Sequence, residues 1–284
     1  MRLSRGAVAL LIPGVGILLA FLVLPLANVV EESLRLFEPG RIGAAKDAPY
    51  TLFNYTELLH KTYLYYFVET ARIGFIASIV GLALGFPIAY AIARQLNAFW
   101  RKVAVGFLIG IMFLSTLVRV YALQLTFGPT GIAKFLSAFI GVSMNGRVYT
   151  ELVVILGLLH YLVPIAAITL LGTIQNVNPR LSEAGQALGA PRWMAHFTIT
   201  IPLCVPGLLS AFLISFTLCL SAFVVPMILG KGKVLFVSNL IYARFSEIAN
   251  YPSGSAISII MLVLSLLLIY GVTYFVNARW IKKQ

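Results

Sequence analysis

Two long apolar segments of the chain are separated by the polar stretch of residues 174–203, which reads IQNVNPRLSEAGQALGAPRWMAHFTITIPL. The segments on either side, residues 152–173 and 204–229, contain no Lys, Arg, Asp or Glu. Each is at least as long as the roughly 20 residues that a helix needs to cross a hydrocarbon core about 30 Å thick. The stretch is therefore predicted to connect two membrane-spanning helices.

The composition of the whole chain agrees with a membrane location. Of its 284 residues, 60% are hydrophobic and 11% are charged, against about 45–50% and about 25% in a typical globular protein. Because a helix satisfies its own backbone hydrogen bonds in lipid, we expect an all-α membrane protein with one domain over residues 1–284. Six spans are predicted, at about residues 7–30, 67–93, 103–127, 152–173, 204–229 and 254–277.

The distribution of basic residues indicates on which side of the membrane the termini lie. Residues 1–6, 94–102, 174–203 and 278–284 share one side and contain ten Lys or Arg and one acid, Glu183. The opposite connections are much longer and contain nine basic and seven acidic residues. Because Lys and Arg crowd the cytoplasmic ends of spans, we expect both termini in the cytoplasm. The first apolar run exceeds the length of a secretory signal core, which predicts an uncleaved anchor helix.

No motif for catalysis, metal binding or nucleic-acid binding occurs in the sequence. The two cysteines lie in one apolar segment, and the three histidines are far apart. The glycine-rich stretch at residues 230–233 lacks the spacing of a phosphate-binding loop. The net charge of +12 comes from basic residues scattered between apolar runs, which argues against nucleic acid as a partner. We therefore expect a chain that is not an enzyme, with no catalytic or metal-binding residues.

Two local patterns predict contacts of the spans. Gly81 with Gly85, and Gly106 with Gly110, have the GxxxG spacing that allows helices to approach closely. The residues Glu69 and Arg72 have helical i,i+3 spacing at the start of the second span, so they are predicted to form a local ion pair.

The polar stretch 174–203 is longer than the usual connection of about 2–8 residues between helices. Asn178 can cap a helix whose first turn contains Pro179, and Gly189 can end that helix in the left-handed conformation. Pro191 can begin a second short helix. The sequence thus predicts a pair of short helices, which a membrane protein could offer to a soluble partner.

The same stretch contains Glu183-Ala184-Gly185, then Gly189, then Ile199-Thr200-Ile201-Pro202. This spacing resembles the EAA loop of ABC importer permeases, although Gly185 and Ile201 replace the usual Ala and Leu. The resemblance implies a six-transmembrane-helix type I ABC importer permease, with residues 174–203 as its cytoplasmic coupling loop. It further implies that the loop docks on an ATPase subunit through Glu183, Ala184, Gly185, Leu188, Gly189 and Ala190.

Three further segments resemble the first permease of spermidine/putrescine-type importers: residues 51–55 (TLFNY), 85–94 (GFPIAYAIAR) and 115–122 (STLVRVYA). This resemblance implies a bacterial inner membrane permease that works with an ABC ATPase dimer, a second homologous permease and a solute-binding protein outside the membrane. ATP and Mg would bind to the ATPase subunits, and this chain would bind no cofactor. A polyamine is the expected solute.

Polar residues inside the predicted spans are candidates for the translocation pathway. Arg119 lies in the third span, where insertion of an arginine costs about 2.5–3.5 kcal/mol. It therefore requires a partner, a watery cavity or a position from which its side chain can reach the membrane surface. The complete candidate set is Ser115, Thr116, Arg119, Tyr121, Ser215 and Ser221.

Two alternatives follow from the charges of the spans. A pathway for polycations should favour carboxylates and aromatic faces, whereas the deepest charge here is the cation Arg119. An anionic or zwitterionic solute, such as an amino-acid derivative or a phosphonate, is therefore the alternative within the same importer class. A secondary transporter driven by an ion gradient is the alternative from a different class, although such carriers usually keep buried carboxylates near the midplane.

Overall fold

The computed structural model of the chain describes residues 5–45, 47–128, 131, 143–144 and 146–280, with side chains from residue 13 except those of residues 277, 279 and 280. Regular structure in this part of the chain is helical, which confirms the all-α prediction. The helices are α1 (Arg5–Ser33), α2 (Phe53–Glu57), α3 (Lys61–Arg94), α4 (Ala98–Phe113), α5 (Thr116–Phe127), α6 (Arg147–Asn176), α7 (Pro179–Ala187), α8 (Arg192–Ala195), α9 (Ile201–Leu203), α10 (Val205–Leu220), α11 (Val224–Leu229), α12 (Val237–Tyr242) and α13 (Tyr251–Trp280).

Four described helices, α1, α3, α6 and α13, are long and apolar enough to cross a membrane. Two bent helix pairs pass the same test together, so the total is six if each pair is one span. One pair is α4 with α5, bent by 88°, and the other is Arg192–Leu203 with α10, bent by 71°. Arg2, Lys282 and Lys283, which contributed to the predicted orientation, lie outside the described residues.

The third predicted span, residues 103–127, is broken at its middle. Leu114 and Ser115 have extended backbone conformations, with ψ of 136° and 130°, between α4 and α5. Ser115 occupies the N-cap position of α5, where serine is favoured. Average hydropathy does not detect such a break, because two apolar helices and one continuous helix have the same composition.

The fifth predicted span, residues 204–229, is also interrupted, between α10 and α11. A proline inside a helix clashes with the carbonyl four residues earlier, so Pro226 opposes a helix that continues through Ala222. The carbonyls of the break have new partners. Ser238 Oγ donates a hydrogen bond to Ala222 O at 2.5 Å, and Asn239 Nδ2 donates one to Phe223 O at 3.2 Å. The irregular backbone is therefore satisfied within the chain, as lipid surroundings require.

The described chain divides into two compact units, and the single domain over residues 1–284 stays a prediction. One unit comprises Met1–Leu64 and Leu240–Leu264. In it, Asn54 is buried and donates hydrogen bonds to the carbonyls of Ser33 and Arg35, both at 2.9 Å. The other unit, Tyr65–Asn239 and Ser265–Gln284, contains the helix breaks and the polar stretch 174–203.

Close packing of α3 on α6 forms the centre of the second unit. A Cβ atom built on Gly81 would lie 3.2 Å from Leu162 Cβ, and one built on Gly85 would lie 2.8 Å from Ala166 Cβ. This confirms the packing predicted for the first glycine pair. Gly106 and Gly110 have no described atom within 4 Å of an added Cβ, so their pair makes no such contact in the described part of this chain.

The N-terminal half of α3 and the first turns of α6 are joined by a network of four charges, which is larger than the predicted local ion pair. Arg72 contacts Glu69 at 3.0 Å and Glu151 at 2.8 Å. Arg147 contacts the same two carboxylates, both at 2.9 Å. The side chain of Glu69 is only 3% exposed, so loss of either arginine would leave a buried carboxylate less compensated, which is costly.

We expect Gly85→Ala to destabilise the folded chain by about 1–3 kcal/mol, because its methyl group overlaps Ala166 in a packed interface. The matched control is Gly172→Ala in α6, where an added Cβ meets no described atom within 4 Å. That control should gain up to about 1 kcal/mol from helix propensity. Thermal unfolding of the purified chains in detergent measures both effects. Equal midpoints for the two variants would contradict the tight α3–α6 contact.

Candidate functional site

The polar stretch 174–203 folds into α7 and α8, followed by a π-helical turn at His196–Thr200. Asn178 precedes α7, and its side-chain oxygen Oδ1 accepts a hydrogen bond from the backbone N–H of Arg180 at 3.1 Å. Pro179 lies in the first turn, where a helix has no use for its missing N–H. These contacts confirm the predicted start of the first short helix.

The end of α7 is a Schellman motif around Gly189. The N–H of Gly189 donates to the carbonyl of Gln186 at 3.0 Å, and the N–H of Ala190 donates to the carbonyl of Gly185 at 3.2 Å. Gly189 has φ of +90°, which confirms the predicted left-handed end. A Cβ built on Gly189 would meet nothing within 4 Å. Backbone conformation, and not lack of space, therefore favours glycine here.

The outward side of α7 combines an acid with uncovered apolar groups. We define the loop face as Glu183, Ala184, Leu188 and Gly189, which are all exposed. The side chain of Leu188 is 90% exposed, and the neighbouring Trp193 of α8 is also exposed. Grouped apolar side chains on a protein surface mark a contact for a partner. The other two predicted coupling residues, Gly185 and Ala190, are half-buried.

Gly185, which departs from the usual alanine, lies on the inner side of α7. A Cβ built there would come within 2.7 Å of Ile199 Cδ1. The glycine therefore gives Ile199 room to pack under the helix. Because both residues belong to the EAA-like pattern, their contact provides a physical reason for the spacing between its two halves.

Arg94, the last residue of α3, fixes the entrance of the polar stretch. Its Nη2 atom donates hydrogen bonds to the carbonyls of Ile174, at 2.6 Å, and Val177. These carbonyls lie at the C-terminal end of α6, where cations are favoured by the helix dipole. From the sequence, Arg94 is one basic residue among several on one side of the membrane and the last residue of the segment 85–94. Its position at the end of a charge-free apolar run was the signal for a more specific role.

A depression of about 400 Å³ lies next to Glu183, lined by residues of α3, α7, α8 and the π-helical turn that include Arg94, Glu183, Arg192 and His196. The rings of Tyr90 and His196 pack edge to face at 4.7 Å between centroids. This contact joins α3 to the turn that follows α8. The polar stretch that contains the loop face is therefore held to α3 at two points, Arg94 and Tyr90.

A second cavity, of about 410 Å³, lies where the two broken spans approach each other. It is lined by Met112, Thr116, Arg119, Tyr161, Ile165, Leu218, Ser221, Ala222, Phe223, Val224 and Val225. Its wall thus includes residues from both sides of each helix break. We call this space the break cavity.

The structure brings together three of the six candidate pathway residues, since Thr116, Arg119 and Ser221 all line the break cavity. Ser115 is exposed at the adjacent break. Tyr121 is 54% exposed and Ser215 is completely buried, and neither lines this cavity. Tyr161 lines it but was absent from the candidate set. Its place in the middle of an apolar span gave no signal that separates it from a packing residue.

Residues 81–282 match the family described as "Binding-protein-dependent transport system inner membrane component". The chain belongs to this family. It is 31% identical over 224 residues to the spermidine/putrescine transport system permease protein PotB of Haemophilus influenzae, with 78% of each chain covered. PotB of Escherichia coli is 29% identical over 238 residues, which cover 83% of this chain and 85% of that protein.

Solved structures show the same fold. A bacterial ABC transporter chain involved in import of the acidic polysaccharide alginate superposes with a TM-score of 0.76 at 18% identity, covering 95% of this chain and 94% of that one. A chain of the MetNI methionine ABC transporter gives a TM-score of 0.56 at 16% identity, covering 78% and 99%. The predicted type I ABC importer permease fold is thereby confirmed.

The family assignment settles the general role of the chain. It is a multi-pass inner membrane protein and the permease subunit of an ABC importer. Because its relatives are permease subunits, it is a non-catalytic subunit, and ATP hydrolysis belongs to a separate subunit. The prediction of the family from the EAA-like spacing is confirmed.

We expect Arg94→Gln to loosen the polar stretch, because hydrogen bonds to a charged donor contribute about 1.5–3 kcal/mol each. Trypsin cleavage after the exposed Arg180 measures this loosening directly, and it should accelerate about tenfold for each 1.4 kcal/mol of easier opening. Lys102→Gln is the control, since Lys102 is an exposed cation on the next helix. Equal cleavage rates in the two variants would contradict a restraining role for Arg94.

Proposed function

We propose that the chain forms one half of the membrane pathway of a polyamine importer. The observation that carries this proposal is the likeness over 78% of the chain to a permease protein whose name specifies spermidine and putrescine transport. The residues 51–55, 85–94 and 115–122 support the same subfamily. An amino-acid derivative, a phosphonate or another small solute remains the alternative within the same importer class.

The loop face is the proposed contact for an ATPase subunit. It offers one acid, Glu183, beside the apolar Ala184 and Leu188 on a helix that is capped at both ends. Gly185 and Ala190 belong to the same proposed site, Gly185 by making room for Ile199. ATP and Mg would bind to the partner ATPase dimer, and nucleotide state would change the contacts at the loop face. A partner can shift the conformation of this chain only through different affinities for its two states.

The remaining partners follow from the same assignment. A second, homologous permease would complete the pathway, and a solute-binding protein would deliver the solute from outside. A transporter for alginate with the same fold has been crystallised with an alginate-bound periplasmic protein, which supports this arrangement as a proposal. Both termini and residues 174–203 would lie in the cytoplasm, with the network around Glu69 near the outer surface.

The pathway itself is proposed to run along the break cavity. Thr116, Arg119 and Ser221 line it, and Ser115 lies at the adjoining helix break. Tyr121 and Ser215 belong to the same helices, α5 and α10, so they would act on the pathway through the position of these helices.

Substitution of Gly189 tests the loop face. We expect Gly189→Val to uncouple solute uptake from ATP hydrolysis, because a β-branched residue resists the left-handed cap at a cost of about 1–2 kcal/mol or more. Gly189→Asn is the matched control, since asparagine tolerates this conformation. Glu183→Ala should also lower uptake per ATP, whereas Glu247→Ala, an exposed acid in the other unit, should not. Normal coupling in an inserted Gly189→Val chain would refute the proposed contact.

The solute is tested by reconstitution of the chain with its neighbouring permease, ATPase and binding protein in liposomes. We expect ATP hydrolysis to rise when the binding protein carries spermidine or putrescine, and to stay low when that protein is empty. Stimulation by an anionic solute alone would replace the polyamine assignment. Solute movement driven by an ion gradient without ATP would instead favour a secondary transporter.

A further inference from the structure

The break cavity has the features of a water-filled space at membrane depth. Irregular backbone within the hydrocarbon region is tolerated only where it is buried in protein or lines an aqueous cavity. The break at residues 221–223 lines this cavity, and so do Met112 and Thr116, which flank the break at residues 114–115. Ser221 and Thr116 are exposed there, which indicates that the wall is not filled by other described parts of the chain.

Arg119 contributes a positive charge to this wall. Its Nε and Nη1 atoms are buried and have no hydrogen-bond partner among the described residues. The ion pairs found in the described part of the chain also do not include Arg119. The acids Glu69 and Glu151 are committed to Arg72 and Arg147 instead. The charge of Arg119 therefore acts on whatever enters the cavity.

We propose that Arg119 is an electrostatic barrier that keeps small inorganic cations out of the pathway between transport events. A fixed positive charge beside an aqueous route repels cations and admits anions more easily, as arginines in selective pores do. This inference rests on the proposed function only in placing the pathway along the break cavity. It assigns to Arg119 a role in sealing the membrane and not in binding the solute.

The rest of the lining fits a barrier better than a site for an anionic solute. An anion site adds further free donors to those of a single arginine, whose Nε and Nη1 atoms are the unpartnered donors here. The hydroxyl of Ser221, by contrast, already donates to the carbonyls of Thr217 and Leu218, at 3.3 and 3.2 Å. Most other lining residues, such as Ile165 and Leu218, are apolar.

A polyamine can still pass when the pathway opens. Repulsion between two charges at a fixed distance is about fourfold weaker in bulk water than at an effective dielectric constant of about 20. Widening of the cavity and entry of water therefore lower the barrier for the transported cation. Before the pathway opens, the same arginine opposes inorganic cations.

The test uses the complete transporter in liposomes, without ATP or binding protein, and measures passive efflux of rubidium and of chloride. We expect Arg119→Gln to raise rubidium efflux about tenfold or more, as loss of a nearby charge in a low-dielectric site implies, without raising chloride efflux. Arg119→Lys should stay near the wild-type rate. Lys231→Gln removes an exposed charge that does not line the break cavity and should change neither flux.

A second variant allows the charge at position 119 to be changed after the transporter has been assembled. Arg119→Cys is reconstituted and then treated with a cationic or an uncharged methanethiosulfonate reagent, and the two native cysteines are buried. We expect the cationic reagent to restore low rubidium efflux and the uncharged one to leave it high. Unchanged rubidium efflux in Arg119→Gln and Arg119→Cys would overturn the proposed barrier. An equal rise in rubidium and chloride efflux that the cationic reagent does not reverse would also overturn it.

The outcome is independent of the solute assignment. Stimulation of ATP hydrolysis by spermidine-loaded binding protein, measured on the same wild-type liposomes, reports on the proposed function. A selective cation leak with no stimulation by polyamines would reject the polyamine and keep the barrier. Stimulation by polyamines with no cation leak in the variants would keep the polyamine assignment and reject the barrier.

Discussion

The contact between α3 and α6 is the constraint on which the second unit depends. It is made at three levels, each by a different type of interaction. At one end, Arg147 contacts Glu69. Further along, Gly85 lets the helices approach so closely that a methyl group would overlap Ala166. At the opposite end, Arg94 donates hydrogen bonds to the last carbonyls of α6. Apolar burial alone would not fix this register, because lipid is as apolar as the side chains between helices. Close contact at glycines and hydrogen bonds to charged groups each require one register of the two helices, whereas hydrophobic contact does not.

This three-level contact also determines what can move. The loop face follows directly on α6 and is tied to α3 through Arg94 and through the ring contact of Tyr90 with His196. Leu188 therefore belongs to a segment that is held to two packed helices. The capped ends of α7 have the same effect, since they keep the short helix intact without burial of its outward side. The helices that contain breaks, α4 with α5 and α10 with α11, make up the wall on which such a movement would act.

The sequence predicts the parts of this design that depend on local chemistry. The cap at Asn178, the left-handed end at Gly189 and the apolar spans all follow from residue types at short spacing. The break at Ser115 does not, because hydropathy averaged over a window is the same for a straight and a bent span. The break before Pro226 can be predicted in part, because the proline is visible in the sequence. The partners of the carbonyls of Ala222 and Phe223 cannot, because Ser238 and Asn239 are distant in sequence. Likewise the spacing of Glu69 and Arg72 predicts one ion pair, whereas Arg147 and Glu151 join it only through the fold.

The charges of the chain also bear on how a cation can be selected by a complex that contains it. The carboxylates Glu69 of α3 and Glu151 of α6 are neutralised by two arginines. Among the described residues, the lining of the break cavity includes Arg119 but no acid. Strong binding of a polyamine needs carboxylates or aromatic faces whose desolvation is offset by the ligand. The described lining offers two aromatic rings, Tyr161 and Phe223, together with the cation Arg119. A chain of this kind is suited to passing a solute that another component has already chosen. Tight binding within the membrane would slow release on the inner side, so weak interaction along the pathway and selection outside it are complementary requirements of the same transport cycle.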